Sequence, residues 1–487
     1  MASYKPIIGL EIHVQLNTKT KLFCSCYNEY SPDEPNKNIC PFCTGQPGAL
    51  PVLNKEAVKK AIIFGTALGS NIPEKTRWDR KNYFYPDLPT GYQISQYDNP
   101  IVEGGKLSFY IEDKTNGNFE STEVVLTRAH LEADAAKLLH ANSKTFVDFN
   151  RSGAPLIEIV TEPMIRSGSQ AMAFVSELQL LVRRLGISDA DMDKGQMRFD
   201  CNLSLQNDEQ QKTDSLPSYR TETKNINSIR SLGRAIEYEI KRQTELLEKG
   251  ERPVQETRGW KDDLNKSTSQ RSKEEAMDYR YFPEPDLRIL EISSIDKPLF
   301  SNLPELPATQ RSRYLKLGLS HQIANTLIAQ VEVGSFFDHT TDQLSDSKTI
   351  KTIANIISGP LIALSAKTEK KIDAIATSEN LIILASLFEQ GKINNQGLLA
   401  ALEILSTSIN SNMFDILETH QLIQVSDDNA LQKIVDAVIL SNKSVVVEYQ
   451  LGKTQVIGFL IGQCMKESKG AGNPKKFTDI LLANLTK

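Results

Sequence analysis

PIIGLEIHVQL, residues 6–16, is the stretch on which the reading of the fold turns. In an extended strand, alternate side chains point to opposite faces. Leu10, Ile12 and Val14 therefore share one face, and Glu11, His13 and Gln15 share the other. The apolar row can close on a core. A carboxylate, an imidazole and an amide make a poor merely wetted surface, where Lys, Thr and Glu would serve solubility better. Taken alone, the segment also fits an ordinary half-exposed strand. Repetition of the pattern favours a metal-binding or acid/base floor of a sheet.

The pattern does repeat. VLTRAHLEAD (125–134) sets Arg128, His130 and Glu132 against Thr127, Ala129 and Leu131, and RFDCNLSL (198–205) sets Arg198, Asp200, Asn202 and Ser204 against Phe199, Cys201, Leu203 and Leu205. PLIEIVTEP (155–163) places Glu158 and Glu162 opposite Ile157 and Ile159, and YRTETKNI (219–226) aligns Arg220, Glu222 and Lys224. Strands with one apolar and one ionisable face predict an antiparallel sheet whose polar side is a concave active surface. Arg, His, Asp and Glu together suit anionic ligands and a hard cation.

The chain has 487 residues, which predicts two or three domains. Net charge is −5, so nucleic-acid binding would have to come from local patches. MASYKP runs into a strand without a signal-peptide pattern, and no uninterrupted apolar run of about 18 residues occurs. These features predict a cytoplasmic protein without a membrane partner; an organellar form with a trimmed transit peptide stays open. Cys24, Cys26, Cys40 and Cys43 form C-x-C and C-P-x-C pairs, the ligand spacing of a structural zinc knuckle. A disulfide pair competes, against the intracellular look of the chain. Cys201 and Cys464 read as buried core residues.

Helical periodicity marks 55–69, 167–186 with Ser167 or Ser169 as cap, and 226–250 ending at Gly250. The polar stretch 261–276 reads as a loop or exposed turn, and beyond about 292 the pattern becomes helical. RKNYFYPDLPTGYQISQ (80–96) supplies Arg80 and Lys81 for phosphate, and Tyr83, Phe84, Tyr85 and Tyr92 for a base or an RNA end, or else for packing in a rigid loop. AMDYRYFPEPDL (276–287) resembles it, with Arg280 and Tyr281 as the functional candidates. A Walker-type loop is excluded, because GKT at 452–454 has Val447 where the upstream glycine is required. No G-x-S-x-G elbow occurs, so acyl hydrolysis or ammonia generation must happen elsewhere. KESKGAGNPKK (466–476) gathers four lysines against one glutamate; it suits RNA phosphates or plain solvation.

GLEIHVQL, the CSC and CPFC pairs, RKNYFYPDLPTGYQISQ, HLEADAAK, VDFNRSGAPLIEIVTEP, RFDCNLSL, RTETKNINS and DYRYFPEPDL occur in one order. That series resembles the B subunit of the aspartyl/glutamyl-tRNA amidotransferase, over essentially the whole chain. The resemblance implies an α+β fold: a cradle domain with an antiparallel sheet and flanking helices, a helical domain and a helical, tRNA-binding tail; the change of pattern near 293 and the small polar residues of LEILSTSINSNMF near 408 predict their bounds as 1–292, 293–407 and 408–487. It implies ATP- and Mg²⁺-dependent phosphorylation of the side-chain carboxylate of misacylated Glu-tRNA(Gln) or Asp-tRNA(Asn). Ammonia channelled from an amidase A subunit then displaces the phosphate, and a small C subunit completes the heterotrimer. By resemblance Glu11, His13 and Glu132 hold Mg²⁺, with Asp200 a further candidate. Lys81 and Arg198 clamp phosphate, Tyr83, Arg280 and Tyr281 contact the nucleotide, Asn202 orients the acyl carboxylate, and Lys469, Lys475 and Lys476 bind tRNA. Zn²⁺ on the four cysteines is structural. One departure stands out: the family often carries two acidic residues after HL, and the second is Ala133 here, with Asp134 as its replacement. Two other readings compete. One is a non-catalytic tRNA-binding adaptor; the other is a free-standing carboxylate–amine ligase.

Overall fold

The computed structural model describes residues 4–29, 34–113, 115–213, 215–272, 279–295, 303–409, 411–423, 428–468 and 472–485. Its chain order begins with β1 (Lys5–Gln15), α1 (Lys55–Ala67), β2 (Lys75–Thr76), β3 (Asp79–Asn82), β4 (Tyr92–Ser95), β5 (Val102–Glu103), β6 (Lys106–Glu112) and β7 (Phe119–Ala133). There follow β8 (Lys137–Ala141), β9 (Lys144–Asp148), β10 (Pro155–Thr161), α2 (Gly168–Arg184), β11 (Met197–Gln206), α3 (Asp208–Thr213), β12 (Thr221–Ile226) and α4 (Ile229–Glu248). The last strands are β13 (Glu256–Lys261), β14 (Lys266–Ser272), β15 (Phe282–Pro283) and β16 (Leu290–Glu291), after which the described elements are helical.

The alternation that marks residues 6–16 is realised in the central strand of a nine-stranded sheet. Its order is β14-β13-β12-β11-β1-β10-β7-β5, with β6 also on β7. Leu10, Ile12 and Val14 are buried on the face covered by helices, where α1 packs on β7, α2 on β6 and α4 on β11. Each such side chain contributes about 1.5–3 kcal/mol. A one-residue slip of β1 would put Glu11 and His13 into that core, so the register is strongly specified.

Two expectations need correction. The sheet is mixed, because β12 and β13 pair in parallel through the crossover helix α4, while the pairs from β11 to β7 are antiparallel. Residues 261–276 are not simply a loop: 266–272 form strand β14, antiparallel to β13 across a turn at 262–265. This edge strand, KSTSQRS, has no apolar row to announce it. The helices fall where their periodicity puts them. Ser167, not Ser169, caps α2 by accepting from the Gln170 amide, and Ser228 caps α4 through the Ser231 amide. Each cap is worth about 1 kcal/mol.

The chain forms two compact units, Met1–Thr309 and Gln310–Lys487. Their division falls later than the expected 292/293. In the second unit Leu431, Val435, Val438, Leu460, Cys464, Phe477, Leu481 and Leu485 make an apolar cluster of their own. Among the described residues one helix, Ser347–Thr368, is long and apolar enough by length and composition to cross a membrane. Lys351, Thr352, Asn355, Ser358, Gly359 and Pro360 interrupt its apolar residues, so it holds no unbroken apolar run. Ile350, Ile353, Ala354, Ile356, Ile357 and Leu361 are buried within the unit.

Candidate active site

Because β1 is central, its polar row is flanked on both sides. His13 stands opposite Arg198 of β11 and Glu158 of β10, while Glu11 stands opposite Asp200. Glu158 in turn faces His130 of β7. A second small sheet, β15-β3-β4, brings Lys81 to the same side. Together these elements line an open cleft of about 460 Å³, whose walls include Glu11, His13, Lys81, Tyr83, Glu132 and Arg198.

Two groups of ionisable side chains lie at its floor, and all of them except Glu222 line it. In the first, His13 Nε2 lies 3.2 Å from Glu158 Oε2 and 3.4 Å from Glu132 Oε1. Burial alone would lower the His13 pKa, but hydrogen bonds to Glu132 and Glu158, and their charges, push it up to about 10. Burial opposes ionisation of both carboxylates, yet His13 and Lys81 hold Glu132, and His130, His13 and Lys81 hold Glu158, below the ordinary glutamate range. His130, 3.6 Å from Glu158, is instead lowered by burial. In the second group one carboxylate oxygen each of Glu11, Asp200 and Glu222 lies within 4.8 Å of the others. Burial, then repulsion by Glu158, Glu222 and Asp200, raises Glu11. Lys224 bridges Asp200 at 3.2 Å and Glu222 at 3.0 Å. Three carboxylates this close, with only Lys224 to offset their charge, offer the all-oxygen donors that a hard divalent cation takes. The imidazole-containing group could hold a second.

The other expected residues divide. Lys81 and Tyr83 line the cleft, and Tyr279 caps the Lys81 ammonium with its ring centroid 5.0 Å away. Arg198 lines it too, holding Asp134 at 3.1 Å. Asn202 does not line the cleft; its Nδ2 donates to Glu11 Oε1 at 2.9 Å, which makes it a support for Glu11. Tyr281 stacks on Tyr97 with centroids 4.2 Å apart, and Arg280 is exposed, its carbonyl accepting from Asn82; neither is part of the cleft wall. Arg80 is spent on Glu284, with two bonds of 2.7 and 2.8 Å, and stacks on Tyr92. Glu162 leaves the ionisable row because the register shifts between Val160 and Thr161; it accepts from Thr127 at the exposed surface. Arg220 precedes β12 and is exposed. Ala133 packs against the core, so an acid there would not face the cleft, and Asp134 is engaged by Arg151 and Arg198. Lys475 and Lys476 begin the last helix, and Lys469 lies outside the described residues.

Sequence reasoning left Glu158, Glu222 and Lys224 out of the site although each already stood in an alternating row. Asp134 and Arg151 lie beyond the strand ends, where alternation gives no signal.

The four-cysteine group lies beside this sheet. Its sulfurs all lie within 4.8 Å of one another; Cys26 and Cys43 are 3.9 Å apart, Cys40 and Cys43 3.7 Å. A tetrahedron of thiolates about 2.3 Å from zinc has edges of about 3.8 Å, and a disulfide would need about 2.05 Å. A hydrogen bond from Cys24 lowers the Cys43 thiol to about 5, against its burial, with the Lys21 charge helping. The donors fit zinc.

Comparison with known proteins places the whole chain in a family. Residues 6–296 match the family model described as the GatB/GatE catalytic domain, and residues 335–485 match the GatB domain model. Among similar curated proteins are three named as the B subunit of aspartyl/glutamyl-tRNA(Asn/Gln) amidotransferase. That of Campylobacter hominis is 43% identical, with 99% of this chain and 100% of the relative covered. That of Helicobacter hepaticus is 41% identical with 100% of both covered, and that of Gloeothece citriformis is 42% identical with 98% and 97% covered. On both the matched models and the full-length relatives, the chain belongs to the family of amidotransferase B subunits.

Proposed function

We propose that this chain is the tRNA-dependent amidotransferase subunit that activates and amidates misacylated tRNA, with the β1-centred cleft as the activation site. Glu-tRNA(Gln), Asp-tRNA(Asn) or both are the substrates, and ATP is the co-substrate. A side-chain carboxylate oxygen attacks the γ-phosphorus, forming a C–O–P linkage as the bond to ADP breaks. Ammonia then attacks the acyl carbon and phosphate leaves. Two anions must be brought together, so screening and alignment dominate the barrier.

The chain's residues supply both. Glu11, Asp200 and Glu222 are the donors for Mg²⁺, which when bound would screen the charge between carboxylate and triphosphate. Glu132, Glu158 and His13 form the adjoining set, with His13 acting through water if Mg²⁺ is the ion. Lys81 and Arg198 face phosphate oxygens. Tyr83 and, at the rim, Arg280 and Tyr281 contact the nucleotide. Phe84 and Tyr85 are exposed beside Tyr83 and suit stacking of acceptor-end bases. Asn202, in this reading, fixes Glu11. The four cysteines hold structural zinc, Lys469, Lys475 and Lys476 contact tRNA phosphates, and the site of action is the cytoplasm. Ammonia comes from an amidase A subunit, and a small C subunit joins the two.

The observation that carries this reading is the Glu11–Asp200–Glu222 cluster, of which Glu11 and Asp200 line one cleft together with Lys81 and Arg198. The test is ADP release by the assembled complex with ATP, Mg²⁺ and Glu-tRNA(Gln). Wild type should release ADP only with the tRNA, and Glu11→Ala should abolish release while the partner's glutaminase activity persists. Retained tRNA binding with no ADP release by wild type would replace it with the adaptor reading. Turnover of a free acid without tRNA would favour the stand-alone ligase.

A further inference from the structure

Asp134 is buried at 4% exposure just past the end of β7, between two guanidinium groups from different parts of the chain. Its Oδ2 accepts from Arg151 Nε at 2.5 Å and its Oδ1 from Arg198 Nη2 at 3.1 Å. Oδ1 also takes the Ala135 amide at 3.0 Å. Arg198 comes from β11. Arg151 comes from the turn before β10, which is tied down on its far side. The Asp134 carbonyl accepts from Gly153 N at 2.8 Å, Ser152 Oγ donates to the Cys43 carbonyl, and the Asn150 side chain accepts from Asn38 N. The buried Lys21 ammonium donates to the Phe149 and Asn38 carbonyls. The arginine-bearing turn is thus sewn to the cysteine knuckle on one side and to Asp134 on the other.

Both guanidinium groups line the cleft. Two cations side by side repel, and in water neither would hold one orientation. A carboxylate that gives one oxygen to each offsets the repulsion and uses a single N–H of either fork. Several donors per arginine are left, in the planar arrangement that binds phosphoryl oxygens best. We infer that Asp134 is a positioning residue that holds Arg151 and Arg198 as a two-pronged clamp for the phosphate groups handled in the cleft, with Arg151 the second prong. The inference rests on the proposed phosphorylation reaction. Asp134 touches no substrate and acts only through the arginines.

The experiment uses the full complex, with Mg-ATP and Glu-tRNA(Gln) as probes and ADP release as readout. Asp134→Asn should raise the KM for ATP about tenfold, with a smaller change in kcat, and Arg151→Gln should do the same, while Arg151→Lys recovers part of the loss. In the R151Q/R198Q background, D134N should add less than about twofold, because the groups it positions are gone. If D134N alone leaves the KM within about twofold of wild type, the clamp is wrong. It is equally wrong if D134N multiplies the KM of the double variant by its full single-variant factor. Should D134N fail to fold, R151Q decides alone, since Arg151 lies in a partly exposed turn: an unchanged KM overturns the clamp. Absence of tRNA-dependent ADP release by wild type would instead overturn the underlying reaction, a separate result.

Discussion

The Asn202 amide donates to the Glu11 carboxylate at 2.9 Å, from a side chain 9% exposed whose own carbonyl oxygen has no partner among the described residues. One hydrogen bond thus orients a carboxylate crowded by Asp200 and Glu222. Asn202→Ala should lower the affinity for Mg²⁺ about 10–100-fold, the usual cost of losing such support. Titration of ADP release against Mg²⁺ checks this: the half-saturating concentration should rise while the rate at saturating metal stays near wild type.

Asp134 sets a pH dependence whose sign follows from its partners. Burial would raise its carboxyl, but the Arg198 and Arg151 charges hold it below the ordinary 3.8. A depressed folded-state value contributes stability that is present above 3.8 and lost as pH falls through the folded value. Breaking such a buried pair costs about 3 kcal/mol. Asp134→Asn should therefore melt lower than wild type at pH 7, and the gap should narrow below pH 3.8 in melting curves followed by circular dichroism.

The cysteine knuckle predicts about one zinc per chain by mass spectrometry. Cys43→Ser, or a strong chelator, should remove it. The Asn38 and Phe149 amides, which bond to the Asn150 and Asn36 side chains, should then exchange hydrogen faster. Exchange unchanged after zinc loss would separate the knuckle from the 147–153 segment.

Helices α2 and α4 cross where Gly168 meets Gly233. A Cβ on Gly168 would lie 2.7 Å from the Gly233 carbonyl oxygen, a backbone atom that cannot step aside. Gly168→Ala should cost about 1–3 kcal/mol. The melting temperature should drop while ADP release per folded molecule stays unchanged, since this crossing lies on the apolar side of the sheet.

Lys475 and Lys476 stand in the first turn of the last helix. Replacing both with Ala should weaken tRNA binding and flatten its dependence on log salt by about 1–2 units of slope, equally for cognate and non-cognate tRNA. Filter binding at several salt concentrations measures it.

How far the sequence reaches is visible in β1 itself. Period-two alternation puts Glu11, His13, Glu132 and Asp200 on polar faces, because a strand obliges alternate residues to share a face, and the family resemblance singles them out from the rest of those rows. The same rule failed at Glu162, where a register shift between Val160 and Thr161 breaks it. It is silent at Arg151, which lies in a turn without periodicity. Asn202 was correctly placed on the polar face, yet only coordinates show its bond to Glu11. The strand at 266–272 is not legible in the sequence, since an edge strand of Ser, Thr, Gln and charged residues looks like a loop. The parallel β12–β13 pair depends on where α4 returns the chain, which local pattern does not encode.

The central position of β1 has a consequence for biogenesis. Its partners β10 and β11 lie at Pro155–Thr161 and Met197–Gln206. At a translation speed of about 5–20 residues per second, β1 leaves the ribosome roughly 10–40 s before β11 exists to cover its second edge. During that interval Ile7, Ile8, Leu10, Ile12 and Val14 form an unpaired apolar ribbon. Nascent chains stalled before residue 206 should recruit holdase chaperones through this ribbon, and chains released after it should not.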